Sequence, residues 1–101
     1  MRAFFILPVA LFLAAPAAAD EFAAEIKTFQ FMPKTITVRV GDTVTWTNND
    51  GLEHSVTAAG AFDSGLFGKG ESRTLTFDTA GTFAFRCSRH GSMMGEIVVT
   101  P

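Results

Sequence analysis

Cysteine occurs once in this 101-residue chain, histidine twice, and tyrosine not at all. A lone cysteine, Cys87, excludes an intrachain disulfide as a source of stability. Eight basic residues stand against ten acidic ones, for a net charge of −2. That balance leaves no broad basic face, which argues against a nucleic-acid binder held by phosphate contacts. Long apolar runs are missing too. Ala3 to Ala15 comes nearest, but Pro8 interrupts it and Pro16 ends it, short of the roughly 20 residues that a spanning helix needs.

What that first stretch does resemble is a secretory signal. Arg2 gives a positive start, an apolar stretch follows, and Ala17-Ala18-Ala19 offers a small-residue cleavage pattern before Asp20. The reading is a signal peptide over 1–19 and a single domain over 20–101. No cysteine lies near the cleavage point, so no lipid anchor and no stable membrane association are expected. The domain is too short for a multi-layer enzyme scaffold with its own cofactor domain, which points to a small binding or carrier module, expected as a monomer. Export also makes Cys87 informative. An unpaired thiol in an oxidising compartment is buried and inert, used between chains, or held by a metal.

The mature part reads as short strands separated by turn chemistry. Ile36, Val38 and Val40 alternate with Thr35, Thr37 and Arg39, and after Gly41-Asp42 the residues Val44 and Trp46 alternate with threonines. These two runs are expected to be neighbouring strands joined by a tight connection. Glu25 to Phe31 reads as one β-rich run that Pro33 breaks. Asn48-Asn49-Asp50-Gly51 is a loop signal. His54, Val56 and Ala58 then share one face, with Ser55 and Thr57 on the other. Gly60 to Gly70 reads as irregular but packed down through Phe62, Leu66 and Phe67. Leu75 and Phe77 mark a further strand, Phe83, Phe85 and Cys87 share the inner face of another, and Glu96 to Thr100 is the last. About seven strands at this spacing predict an all-β sandwich or barrel with minimal helix.

The chemistry concentrates in Cys87-Ser88-Arg89-His90-Gly91-Ser92-Met93, with His54 far upstream. Each residue alone has a plain reading: a buried small thiol, a solvated or hydrogen-bonded histidine, a core-filling methionine. Together they are the chain's complete set of thiol and imidazole donors, placed where one site can use them. Thiolate and thioether favour Cu(I) and imidazole tolerates Cu(II), so copper suits the set best. Two histidines and a cysteine in a trigonal arrangement with a long axial methionine define a blue-copper electron-transfer site. Hard cations would want grouped oxygen ligands, and structural zinc a further cysteine or histidine. Met93 and Met94 compete for the axial position. The C-x-x-H-x-x-M spacing favours Met93.

With these residues in hand, the mature chain resembles the small cupredoxins, most of all the amicyanin and plastocyanin group. The resemblance rests on Phe31-Met32-Pro33, Val40 to Trp46, His54 to Thr57, Gly81-Thr82-Phe83 and Cys87 to Val99. It implies a Greek-key β-sandwich in which His54, Cys87, His90 and Met93 bind one copper ion. Where the family often has asparagine after the upstream histidine, this chain has Ser55, and a Ser55–Ser88 contact is expected as the substitute. Arg89 and Gly91 replace loop prolines, and Phe83 and Phe85 replace tyrosines. The glycine loosens the loop that carries His90.

The resulting expectation is a periplasmic, non-enzymatic carrier of single electrons between larger redox proteins, met transiently, with His90 as the exit for the electron. The alternative is a periplasmic module that buffers or delivers copper. A thiol enzyme using Cys87 and His90 has no oxyanion donors or cleft to point to. Oxygen reduction at several coppers would need more histidines than the chain has.

Overall fold

The computed structural model describes residues 18–101, so most of the candidate leader 1–19 lies outside the described residues. Nine strands follow: β1 (Glu21–Lys27), β2 (Gln30–Met32), β3 (Thr35–Arg39), β4 (Thr43–Asn48), β5 (Thr57–Ala58), β6 (Phe62–Asp63), β7 (Ser72–Thr76), β8 (Gly81–Arg86) and β9 (Met94–Thr100). They form two mixed sheets, ordered β2-β1-β4-β7 and β3-β9-β8-β5-β6. No helix occurs among the described residues. The result is the β-sandwich that the alternation predicts. The strand count exceeds the expected seven because β2, β5 and β6 are only two or three residues long, below what alternation can register.

Each long strand turns its alternate apolar side chains into one core. Val44 and Trp46 of β4, Ile36 and Val38 of β3, Phe85 of β8, and Ile97 and Val99 of β9 are all buried. Trp46 meets Phe85 and Phe77 edge-on, with centroids 5.7 and 6.3 Å apart, and Phe31 meets Phe85 at 4.9 Å. Such pairs add about 0.5–1.5 kcal/mol each beyond their buried area. The Trp46 Nε1–H has no acceptor in this apolar setting. Gly95 is required by the packing. A Cβ there would stand 2.5 Å from the tip of Phe85 and 2.9 Å from the Lys34 carbonyl.

Two sequence expectations need correction. The strands β3 and β4 are not hydrogen-bonded neighbours. Strand β3 pairs in parallel with β9, whereas β4 pairs with β1 and β7 in the other sheet. Alternation reports that one face of a strand is buried, and facing strands of two sheets satisfy it as well as adjacent ones. Gly41, at φ 97°, and Asp42 carry the chain across the sandwich. The buried Asp42 carboxylate accepts from the backbone N–H of Arg39 and of Asp20, both at 2.8 Å, so it ties the crossing to the start of β1. The second correction concerns Glu25 to Phe31, which is a hairpin and not one run. Strands β1 and β2 turn through Thr28 and Phe29, with φ values of 55° and 56°. That is the left-handed geometry favoured in two-residue hairpins, built without the usual Gly or Asn.

Candidate metal centre

The site sits where β8 ends and β9 begins. Strand alternation turns Phe85 inward and then Cys87, which is fully buried one residue past β8. The loop that follows closes on itself through two backbone bonds. The Met93 N–H donates to the His90 carbonyl at 2.9 Å, and the Cys87 N–H to the Met93 carbonyl at 3.1 Å. This tight closure brings His90 over Cys87 and turns Met93 into the core at 4% exposure, while Met94, the first residue of β9, is 52% exposed. Burial thus separates the two methionines, with Met93 inside and Met94 at the surface.

His54 arrives from the other loop and is held by a two-way backbone bridge to Phe67. Its N–H donates to the Phe67 carbonyl at 3.1 Å and its carbonyl accepts from the Phe67 N–H at 2.9 Å. It is completely buried, as is Val56, and Ala58 is buried too, in line with the expected face. Ser55 departs from that alternation, for it is buried as well. Only Thr57–Ala58 is regular strand here, and Ser55 turns toward the cysteine loop instead of solvent. Its Oγ accepts from the Ser88 backbone N–H at 2.9 Å and donates to Ser88 Oγ at 3.0 Å. The expected serine–serine link thus joins the two donor loops. An exposed Arg89–Glu53 pair at 3.8 Å also spans them, worth at most about 1 kcal/mol at such a surface position.

The donor atoms converge. Cys87 Sγ lies 3.7 Å from His54 Nδ1 and 3.5 Å from His90 Nδ1, and all three atoms fall within 4.8 Å of one another. Nitrogen at about 2.0 Å and sulfur at about 2.3 Å from one centre, spread trigonally, would stand about 3.7 Å apart. The donors are therefore already spaced for one ion. Neither long distance is a strong hydrogen bond in its own right.

Two participants were hidden in the sequence. The first is Asp50, whose Oδ2 lies 2.9 Å from His54 Nε2. The same carboxylate accepts from the backbone N–H of Thr28 at 2.7 Å and of Phe29 at 2.8 Å. Desolvation opposes its ionisation, but the Phe29 and Thr28 amides and the His54 imidazole outweigh it and hold the carboxyl below the ordinary aspartate range. Buried Asn48 positions it. Asn48 Oδ1 accepts from the Asp50 N–H at 2.8 Å, and its Nδ2 donates to the carbonyls of Leu52 and Phe67, both at 2.9 Å. The second participant is Phe29. Half-exposed, it sits edge-on to both His54 and His90, with centroids 5.4 and 5.2 Å away. The only signal for Asp50 was its place in a loop-forming run four residues before His54, and nothing local marks Phe29.

Comparison with known proteins agrees with this geometry. Residues 18–100 match the family of copper binding proteins described as the plastocyanin/azurin family. A chloroplastic plastocyanin of Tetradesmus obliquus is 37% identical over 88% of this chain and 71% of its own. An amicyanin of Paracoccus denitrificans is 32% identical over 87% of this chain and 72% of its own. Among solved structures, a Cu(I) form of an amicyanin mutant superposes with a TM-score of 0.74 at 33% identity, over 87% of this chain and 90% of that one. A fold, a donor set and a sequence match that agree over the whole described domain leave one conclusion: the chain belongs to the plastocyanin/azurin family of copper-binding proteins.

Proposed function

We propose that the protein is an exported one-electron carrier in which His54, Cys87, His90 and Met93 hold a single copper ion. The carrying observation is the facing of two imidazole Nδ1 atoms onto one buried sulfur at 3.7 and 3.5 Å. When bound, copper supplies one-electron exchange between Cu(I) and Cu(II). The chain's own part is to fix the donors in advance. His54 is locked by its bridge to Phe67, Cys87 by the sandwich, and the two loops by Ser55 and Ser88. Donors held this way need little rearrangement when the charge at the site changes.

His90 is the partly exposed donor, and it supports the reading of an electron exit. Its ring meets the half-exposed Phe29 edge-on, and the exposed Arg89–Glu53 pair flanks the same loop. Phe29 is 46% exposed, Leu52 53% and Met94 52%. A small surface with little net charge suits brief encounters with a redox protein, which bury less than about 1,200 Å². Signal cleavage after Ala19 would place this carrier in the periplasm, as a monomer meeting its partners transiently.

Copper-loaded protein is expected to show an intense visible charge-transfer band. Cys87→Ser should abolish the band, and Met93→Leu should only alter it. Purified protein that stays colourless with excess Cu(II) would end the proposal. The exposed Met94 thioether beside the site favours a second reading, copper delivery. Rapid Cu(I) loss to a chelator with sluggish electron exchange would select that reading.

A further inference from the structure

The hydrogen bonding of His54 reaches further than its role as a donor. A carboxylate has no proton to offer, so the 2.9 Å contact requires His54 Nε2 to carry the hydrogen. A neutral imidazole then has its lone pair on Nδ1, the atom that faces Cys87. Asp50 is 14% exposed, His54 is fully buried, and among the described residues no lysine or arginine pairs with this carboxylate. Little solvent and no counter-charge weaken its action on the ring. The carboxylate is itself held in place, by the Thr28 and Phe29 amides on one side and by Asn48 on the other.

Building on the copper reading above, we propose that Asp50 is a positioning residue with two tasks. It fixes His54 in the tautomer that presents Nδ1 to the metal, and its negative charge on the far side of the ring makes His54 a stronger donor. A stronger nitrogen donor with nearby negative charge favours Cu(II) over Cu(I), because the more highly charged ion gains more. The same carboxylate secures the hairpin turn that carries Phe29, so the ring lying against both imidazoles and the donor state of one of them share a single anchor.

The test separates position from charge. Asp50→Asn keeps an oxygen acceptor where His54 and Phe29 converge but removes the charge and the acceptor of the Thr28 N–H, whereas Asp50→Ala removes all of these. In metal-free protein, nitrogen NMR of His54 should show the Nε2–H tautomer alone in wild type and in Asp50→Asn, and a mixture of tautomers in Asp50→Ala. In copper-loaded protein, both variants should lose at least tenfold more affinity for Cu(II) than for Cu(I), which is a rise of about 59 mV in reduction potential. Phe29→Ala, which leaves the carboxylate in place, should keep the wild-type tautomer. An unchanged tautomer in Asp50→Ala overturns the positioning task, and a wild-type potential in Asp50→Asn overturns the charge task. If Asp50→Ala fails to fold, wild type alone still decides the first: a His54 protonated on Nδ1 defeats it. Protein that takes up no copper ends the carrier reading and the charge task together, while the metal-free spectra still decide the tautomer.

Discussion

Asp42 and Asp50 stand just beyond opposite ends of β4, and each uses its carboxylate to gather backbone amides that a strand pattern leaves unpaired. Asp42 takes the N–H of Arg39 and Asp20, and Asp50 those of Thr28 and Phe29. Both carboxyls are held below the ordinary aspartate range, Asp42 chiefly by the amides of Arg39 and Asp20. The difference is one further contact. Asp50 also receives His54, and so the device that ties strands together at one end of the sandwich is connected to a metal donor at the other. Identical local chemistry serves architecture alone in one place and architecture plus donor control in the other.

The largest expected effect comes from removing what holds the donor end together. Asn48→Ala removes the Nδ2 donor to the Leu52 and Phe67 carbonyls, the latter keeping the His54 N–H, and leaves the Asp50 N–H without its acceptor. A loss of about 3 kcal/mol in unfolding free energy is expected, read from urea denaturation of the metal-free protein. A loss under about 1 kcal/mol would mean that water replaces Asn48 freely and that the donor end is no more rigid than a surface loop.

Exchanging the two aspartates sharpens the contrast next. Asp50→Ala should lower copper affinity by about 10- to 100-fold in a chelator competition, whereas Asp42→Ala should leave affinity unchanged while lowering stability. Equal copper affinity in the two variants would erase the distinction. Ser55→Ala removes the acceptor for the Ser88 N–H and is expected to cost about 1 kcal/mol, with faster copper release as the loops part.

The pH dependence follows from the sign of the Asp42 shift. Its folded carboxyl lies below the ordinary value of 3.8, so its stabilisation is complete above that value and disappears as pH falls through the lower folded one. Acid unfolding of metal-free Asp42→Asn should therefore show a shallower loss of stability below about pH 4 than wild type. The smallest effect concerns the turn that Asp50 caps. Thr28 is β-branched at φ 55°, so Thr28→Gly should relieve strain and raise stability by up to about 1 kcal/mol. A destabilised Thr28→Gly would mean that the threonine side chain contributes more than its backbone costs.

Legibility in the sequence followed the range of the signal. Period-two burial is local, so β3, β4, β8 and β9 could be read where they stand, and the Cys87-to-Met93 loop carries its chemistry in seven consecutive residues. Strand partnership is not local, which is why β3 and β4 seemed adjacent although they lie in different sheets. The turn at Thr28 and Phe29 was invisible for a related reason. Its left-handed backbone is supported by a carboxylate some twenty residues away and not by a residue type within the turn.

By itself, then, the sequence determined which atoms could bind a soft metal and which faces of the strands are buried. Those properties belong to side-chain chemistry and to the alternation of a pleated chain. Only the tertiary structure decided that Asp50 is the partner of His54 and that Phe29 sits edge-on to both imidazoles. Hydrogen bonds and ring contacts between distant segments depend on ångström-scale distances, and those exist only once the two sheets have packed.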